Sequence, residues 1–92
     1  MMLDQEQRDH AEAFNRSVGW RIRERREALG MTRSELAGEA GVDEELLSRI
    51  EDGSAEISSW MLASLVPSLR VTPSYLLGLC SSPCGVSTYI WA

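Results

Sequence analysis

The residues of this chain that could do chemistry are few, and their spacing builds neither a catalytic centre nor a metal site. The single histidine, His10, lies in a polar N-terminal stretch, and Cys80 and Cys84 form a Cys-x3-Cys pair near the C-terminus. A structural zinc site needs four Cys or His ligands, and these three residues cannot supply them. Glu44 and Glu45 are adjacent, so on a helix they point about 100° apart and cannot work as an acid–base dyad. We therefore expect no enzyme, no metal and no cofactor.

The remaining features indicate a soluble protein of a reducing compartment. Neither a signal peptide nor an apolar run of membrane-spanning length is present, so we expect a cytoplasmic protein with no membrane partner. Cys80 and Cys84 would then be free thiols, although a disulfide that closes a small loop stays open from the sequence alone.

Charge is distributed unevenly along the 92 residues. The chain has nine arginines, no lysine and fourteen acidic residues, for a net charge of −5. Residues 16–33 carry six arginines against two glutamates, a net +4, whereas residues 34–56 carry one arginine against eight acidic residues, a net −7. The first segment suits an anionic partner such as nucleic acid, whereas the second would repel one. The exclusive use of arginine is typical of a GC-rich bacterial or phage genome.

Hydrophobic periodicity and helix caps predict a single all-α domain of five helices. We place this domain at residues 17–79, after an N-terminal extension (1–16) whose composition favours a helix. Residues 80–92 form a C-terminal tail, and its apolar, β-prone ending is a candidate dimerisation segment. The alternative for this tail is that it folds back on its own domain.

The first, fourth and fifth helices lie on either side of the central segment in the sequence. The first is expected over about 17–29. The fourth is expected over about 58–66, where Pro67 should cause a kink or an early stop. Thr72 and Pro73 signal the start of the fifth helix, in which Leu79 is expected to face inward.

The central segment predicts two short helices joined by a tight glycine turn. The first, about 32–40, begins with Thr32 as N-cap in a capping box. The second, about 43–52, begins with Asp43 as N-cap after the turn at Gly41. The residues expected to face inward are Leu36, Ala37, Leu47 and Ile50. This arrangement is a helix-turn-helix, whose usual work is DNA recognition.

The order of these elements resembles the Cro and phage-repressor type of helix-turn-helix protein, the XRE family. The resemblance spans roughly residues 18–79 and depends on Ala37, Gly41, Leu47 and Ile50 together. It implies a lambda-repressor-like fold and a sequence-specific transcriptional regulator that binds double-stranded DNA as a homodimer. It also implies that Arg26 pairs with Glu51 to tie the first helix to the third.

The resemblance also implies which residues meet DNA. Arg33 takes the place of a glutamine that usually contacts phosphate, and Glu44, Glu45 and Arg49 take the outward positions that reach base edges. Ser48 lies beside them, near the DNA backbone with Asp43 and Ser54, and arginines of the first helix could hold phosphate. The candidate DNA-binding residues are Arg21, Arg23, Arg25, Arg33, Glu44, Glu45, Ser48 and Arg49.

The sequence departs from the family pattern at the start of the third helix. Asp43, Glu44 and Glu45 replace polar or basic groups, and DNA phosphates repel carboxylates, so a single domain should bind DNA weakly. The alternative hypothesis is a module that has lost strong DNA binding and uses this acidic face against a protein partner. Arg70 also stands where the family usually has glycine.

Overall fold

The computed structural model describes residues 5–79, with side chains from His10 onward, and this part of the chain contains five helices and no strand. The helices are α1 (Gln5–Ala28), α2 (Arg33–Ala40), α3 (Glu44–Asp52), α4 (Ser59–Leu69) and α5 (Pro73–Leu76). The all-α, five-helix prediction is confirmed for these residues. The expectations for the C-terminal tail and its two cysteines lie outside them. None of the described helices is both long and apolar enough to cross a membrane.

Helix α1 is longer than the sequence pattern predicts. It runs without a break for 24 residues from Gln5, so residues 5–16 of the N-terminal extension and the expected first helix are one helix. Residues 5–18 contain neither glycine nor proline, and nothing in them stops a helix from propagating. The side chains of Val18 and Ile22 are buried, which confirms the predicted inward face.

The predicted helix-turn-helix is present as α2, a glycine turn and α3. The Thr32 hydroxyl accepts from the Glu35 amide (3.0 Å) and the Glu35 carboxylate accepts from the Thr32 amide (2.8 Å), which completes the capping box. Gly41 ends α2 with φ 73°, a left-handed conformation that glycine adopts without steric cost. Asp43 caps α3 by accepting from the Leu46 amide at 3.0 Å. The predicted inward residues are buried: Leu36, Ala37, Leu47 and Ile50.

The early stop expected at Pro67 is wrong, because α4 continues through it to Leu69. Proline lacks a backbone N–H, so the helix loses one i→i−4 hydrogen bond at this position. Ser68 and Leu69 are both buried, and their packing favours the helical continuation. The helix then ends at Arg70, which has a left-handed conformation (φ 56°). Among residues 5–79, Arg70 is the one non-glycine residue with a positive φ.

The core lies where α1 crosses α3, and Gly19 allows the two helices to touch. A Cβ atom on Gly19 would lie 2.1 Å from the carbonyl oxygen of Ile50 and 2.7 Å from that of Glu51, so only glycine fits there. The buried aliphatic residues of α2, α4 and α5 surround this crossing. The expectation that Leu79 faces inward is wrong: 78% of it is exposed, because α5 ends at Leu76 and Gly78 turns the chain away.

Candidate nucleic-acid interface

The outer face of α3 carries the side chains that the sequence analysis assigned to base recognition. Glu44, Glu45 and Arg49 are all exposed, whereas Leu47 and Ile50 on the opposite face are buried. Arg49 Nη2 lies 3.5 Å from Glu45 Oε1, one helical turn away, and the two side chains are 63% and 71% exposed. Ion pairs this exposed are worth little in water. Arg49 can therefore exchange Glu45 for another acceptor at small cost.

The α1–α3 connection expected from the family resemblance is confirmed. The Glu51 carboxylate is fully buried and accepts two hydrogen bonds from Arg26, from Nε at 2.8 Å and from Nη2 at 3.1 Å. Arg26 is itself buried, and its Nη1 donates to the Met31 carbonyl at 2.8 Å. The hydrogen bond that Arg26 donates to Glu51 raises the pKa of the Arg26 guanidinium, so this buried group keeps its charge. The pair holds the end of α1 to the last turn of α3.

Arg33 joins the same carboxylate, which the sequence analysis did not anticipate. Its Nε donates to Glu51 Oε1 at 3.2 Å, and its Nη1 donates to the Ser48 hydroxyl at 3.2 Å. One third of the Arg33 side chain remains exposed. The first residue of α2 is therefore attached to the outer edge of α3. Glu27 Oε2 also lies 3.9 Å from Arg26 Nη2, so the two arginines and two glutamates of this junction balance in charge.

The three candidate arginines of α1 lie in different surroundings. Arg25 extends to the C-terminal end of α4, where Nε donates to the Leu69 carbonyl (2.9 Å) and Nη2 donates to the Arg70 carbonyl (3.5 Å). Arg21 donates to the hydroxyl of Ser17 and lies beside Gly78, just after α5. These contacts direct Arg21 and Arg25 toward α5 and the end of α4, away from the Arg33–Ser48 contact.

Arg23 is the most accessible of the three arginines. Its side chain is half exposed and lies 3.5 Å from the Glu27 carboxylate, one turn further along α1. The remaining polar residues near α3 serve its ends: the Asp43 carboxylate is the N-cap, and the Ser54 hydroxyl donates to the Arg49 carbonyl at 3.2 Å. The structure thus brings together Arg33, Ser48 and the outer residues of α3, and it does not bring Arg21 or Arg25 to them.

A second close contact between α1 and α3 was also missed from the sequence. A Cβ atom on Gly53, which ends α3, would lie 2.6 Å from Arg16 Cγ and 2.9 Å from Arg16 Cα. Together with Gly19, this contact lets α1 run against the C-terminal half of α3 over two turns. Gly19 was the available sequence signal for this packing, since a glycine inside an otherwise helix-favouring stretch usually has a packing reason.

Comparison with known families and structures identifies this arrangement. A family model described as a helix-turn-helix domain matches residues 17–79. This chain belongs to that helix-turn-helix family. The match begins twelve residues after the start of α1, so the first half of α1 lies outside it.

The helix-turn-helix protein is also similar to a solved structure of a regulatory protein. This is the restriction-modification controller protein C.AhdI from Aeromonas hydrophila, with 30% sequence identity and a TM-score of 0.67. The similarity covers 70% of this chain and 97% of the other. A search of curated proteins finds no match. The family and the structure together identify an XRE-like helix-turn-helix protein, the class that the sequence resemblance named.

Proposed function

We propose that this protein is a sequence-specific DNA-binding transcriptional regulator that acts as a homodimer. The observation that carries the proposal is the rigid placement of α3. Its inner face is buried, its last turn is held by Arg26 through Glu51, and its outer face presents Arg49 to solvent. The helix-turn-helix family uses an element of this kind to enter the major groove. C.AhdI, a controller protein, supports the regulatory role.

Arg49 is the residue to which we assign most of the base recognition. A guanidinium binds guanine through its O6 and N7 acceptors, and Arg49 is the one arginine on the outer face of α3. Glu44 and Glu45 can accept from cytosine N4, which is a less common pairing. Arg23 is an exposed arginine of α1, and it can reach a phosphate by giving up only its exposed ion pair with Glu27.

The proposal includes a homodimer because the acidic start of α3 weakens DNA binding by a single domain. Affinity for DNA comes largely from neutralised phosphates, and the carboxylates of Asp43, Glu44 and Glu45 oppose it. Two copies on adjacent half-sites would double the favourable contacts. We assign dimerisation to the apolar tail at 86–91. Light scattering of the full chain against a chain ending at Leu79 tests it, and a monomer in both would refute this role.

DNA binding is tested with a duplex that the full-length protein enriches from a random pool. We expect Arg49→Ala to cost roughly 1–3 kcal/mol of binding free energy and to relax base preference, because a base contact is lost. Arg23→Ala is the matched variant, and it should weaken all duplexes alike and reduce the salt slope by about one. Glu24→Gln, on the outer surface of α1, serves as the control. If no duplex binds even at low salt, the proposed function is refuted.

A further inference from the structure

The hydroxyl of Ser48 accepts a hydrogen bond from Arg33. A serine hydroxyl has one O–H to donate and two lone pairs to accept, whereas a guanidinium can only donate. Arg33 Nη1 donates to Ser48 Oγ, so one of the two lone pairs is taken, and the O–H and the second lone pair are left. Within the part of the chain that the structure describes, no acceptor takes this proton. Ser48 therefore has a donor to offer at the edge of α3.

The group that holds Ser48 is itself rigidly placed. Arg33 Nε donates to Glu51, whose buried carboxylate is also bound by Arg26 through two hydrogen bonds. Both bonds of Arg33 use the fixed fork of the guanidinium, so its orientation is determined by two acceptors one turn apart on α3. The positive charge behind the hydroxyl oxygen further favours an electron-rich partner on the outer side of Ser48.

We infer that Arg33 is a positioning residue that makes Ser48 a hydrogen-bond donor to base-edge acceptors of DNA. This inference rests on the proposed function. A free serine can contact either kind of base, because it both donates and accepts. In the major groove the acceptors are N7 of both purines, O6 of guanine and O4 of thymine. Ser48 held by Arg33 should therefore prefer these groups to the amino groups of cytosine and adenine.

The test uses the full-length protein and the duplex that it enriches from a random pool. Affinity is measured for this duplex and for its single base-pair variants, with wild type, Ser48→Ala, Arg33→Lys and the double variant. At one base pair, we expect the wild-type protein to bind the duplex that presents a hydrogen-bond acceptor to Ser48 about 5-fold more tightly than the variants that do not. This ratio corresponds to one hydrogen bond. Ser48→Ala and Arg33→Lys should each abolish this preference, and the double variant should lose nothing more.

Arg33→Lys separates positioning from charge. Lysine keeps the positive charge but lacks the fork that reaches Glu51 and Ser48 together, so the salt slope should stay the same while the preference is lost. If the acceptor is N7, a 7-deaza purine at the preferred position should weaken binding by the wild-type protein and leave binding by the Ser48→Ala and Arg33→Lys proteins unchanged. Glu39→Gln, an exposed residue of α2, is the control and should change nothing at this base pair.

Two results would overturn the inference while leaving the proposed function intact. The first is an Arg33→Lys protein that keeps the full preference. The second is a Ser48→Ala protein that weakens every duplex equally, as a phosphate contact would. If Arg33→Lys does not fold, the base preference of Ser48→Ala decides alone. If no duplex is enriched at all, the proposed function fails and this inference fails with it.

Discussion

Replacing Glu51 by glutamine should remove a large part of the stability of this domain. The Glu51 carboxylate is fully buried and accepts hydrogen bonds of 2.8 and 3.1 Å from Arg26 and 3.2 Å from Arg33. Glutamine has nearly the same shape, but it carries no charge, and its amide group would face guanidinium donors with donors of its own. Arg26 would then be a buried cation whose remaining carboxylate, Glu27, is 3.9 Å away and 59% exposed.

The size of this effect follows from the burial of the two partners. Removing one member of a buried ion pair costs about 3–5 kcal/mol. Arg33 adds little, because one third of its side chain reaches water and surface pairs contribute at most about 1 kcal/mol. A domain of this length has a total free energy of unfolding of about 5–14 kcal/mol. Glu51→Gln should therefore lower the melting temperature by roughly 15–30 °C.

Thermal and urea unfolding followed by circular dichroism, at one fixed protein concentration, measure this loss. Glu45→Gln is the matched control on the same helix, because the exposed Glu45–Arg49 pair should contribute almost nothing. The double variant Arg26→Met, Glu51→Met should recover part of the loss, since it leaves no unpaired buried charge at this site. A Glu51→Gln protein that loses less than about 1 kcal/mol would refute the assignment of Glu51 as the buried connection between α1 and α3.

Three further predictions concern backbone and cap positions. Gly19→Ala should cost more than about 3 kcal/mol of unfolding free energy, because its Cβ would meet a carbonyl oxygen at 2.1 Å. Gly38→Ala, in open space on α2, is the control and should gain about 0.5–1 kcal/mol, and equal effects of the two substitutions would contradict the α1–α3 contact. Arg70→Gly should be about 1 kcal/mol more stable than Arg70→Ala, because both lose the same side chain and only glycine adopts the left-handed conformation freely. Equal melting temperatures for the two variants would contradict a backbone cost at this position. Arg25→Met should lower stability by about 1 kcal/mol and leave the DNA salt slope unchanged; a lower slope would assign Arg25 to a phosphate.

The arrangement around α3 explains how an acidic helix-turn-helix can still suit DNA. Asp43 uses its carboxylate to cap α3, so part of the negative charge serves the positive end of the helix. Glu45 lies one turn from Arg49, so the two exposed charges offset each other until Arg49 meets another acceptor. On the inner side of this surface, Arg26 and Arg33 offset the carboxylates of Glu27 and Glu51. Local placement of charge, rather than the net −5 of the chain, therefore governs what α3 can approach.

Short-range patterns were enough to predict the helices of the domain. The capping box at Thr32, the N-cap at Asp43 and the glycine turn at Gly41 each depend on residues within four positions of one another, and all three are present. The early stop expected at Pro67 was wrong because a local rule took no account of the burial of the two residues that follow it. The start of α1 was placed too late because a weak apolar stripe does not define where a helix begins.

The sequence by itself therefore determined the helix-turn-helix, its buried face and the identity of the exposed residues on α3. Only the tertiary structure decided which arginines remain available to a partner. Arg33 meets Glu51 across 18 positions and Arg25 meets Leu69 across 44, and both contacts exist because helices cross at particular points. Gly19 determines one of those points by allowing two backbones to touch. Helix periodicity reports which face of a helix is buried, but it carries no information on which residue of another helix lies opposite.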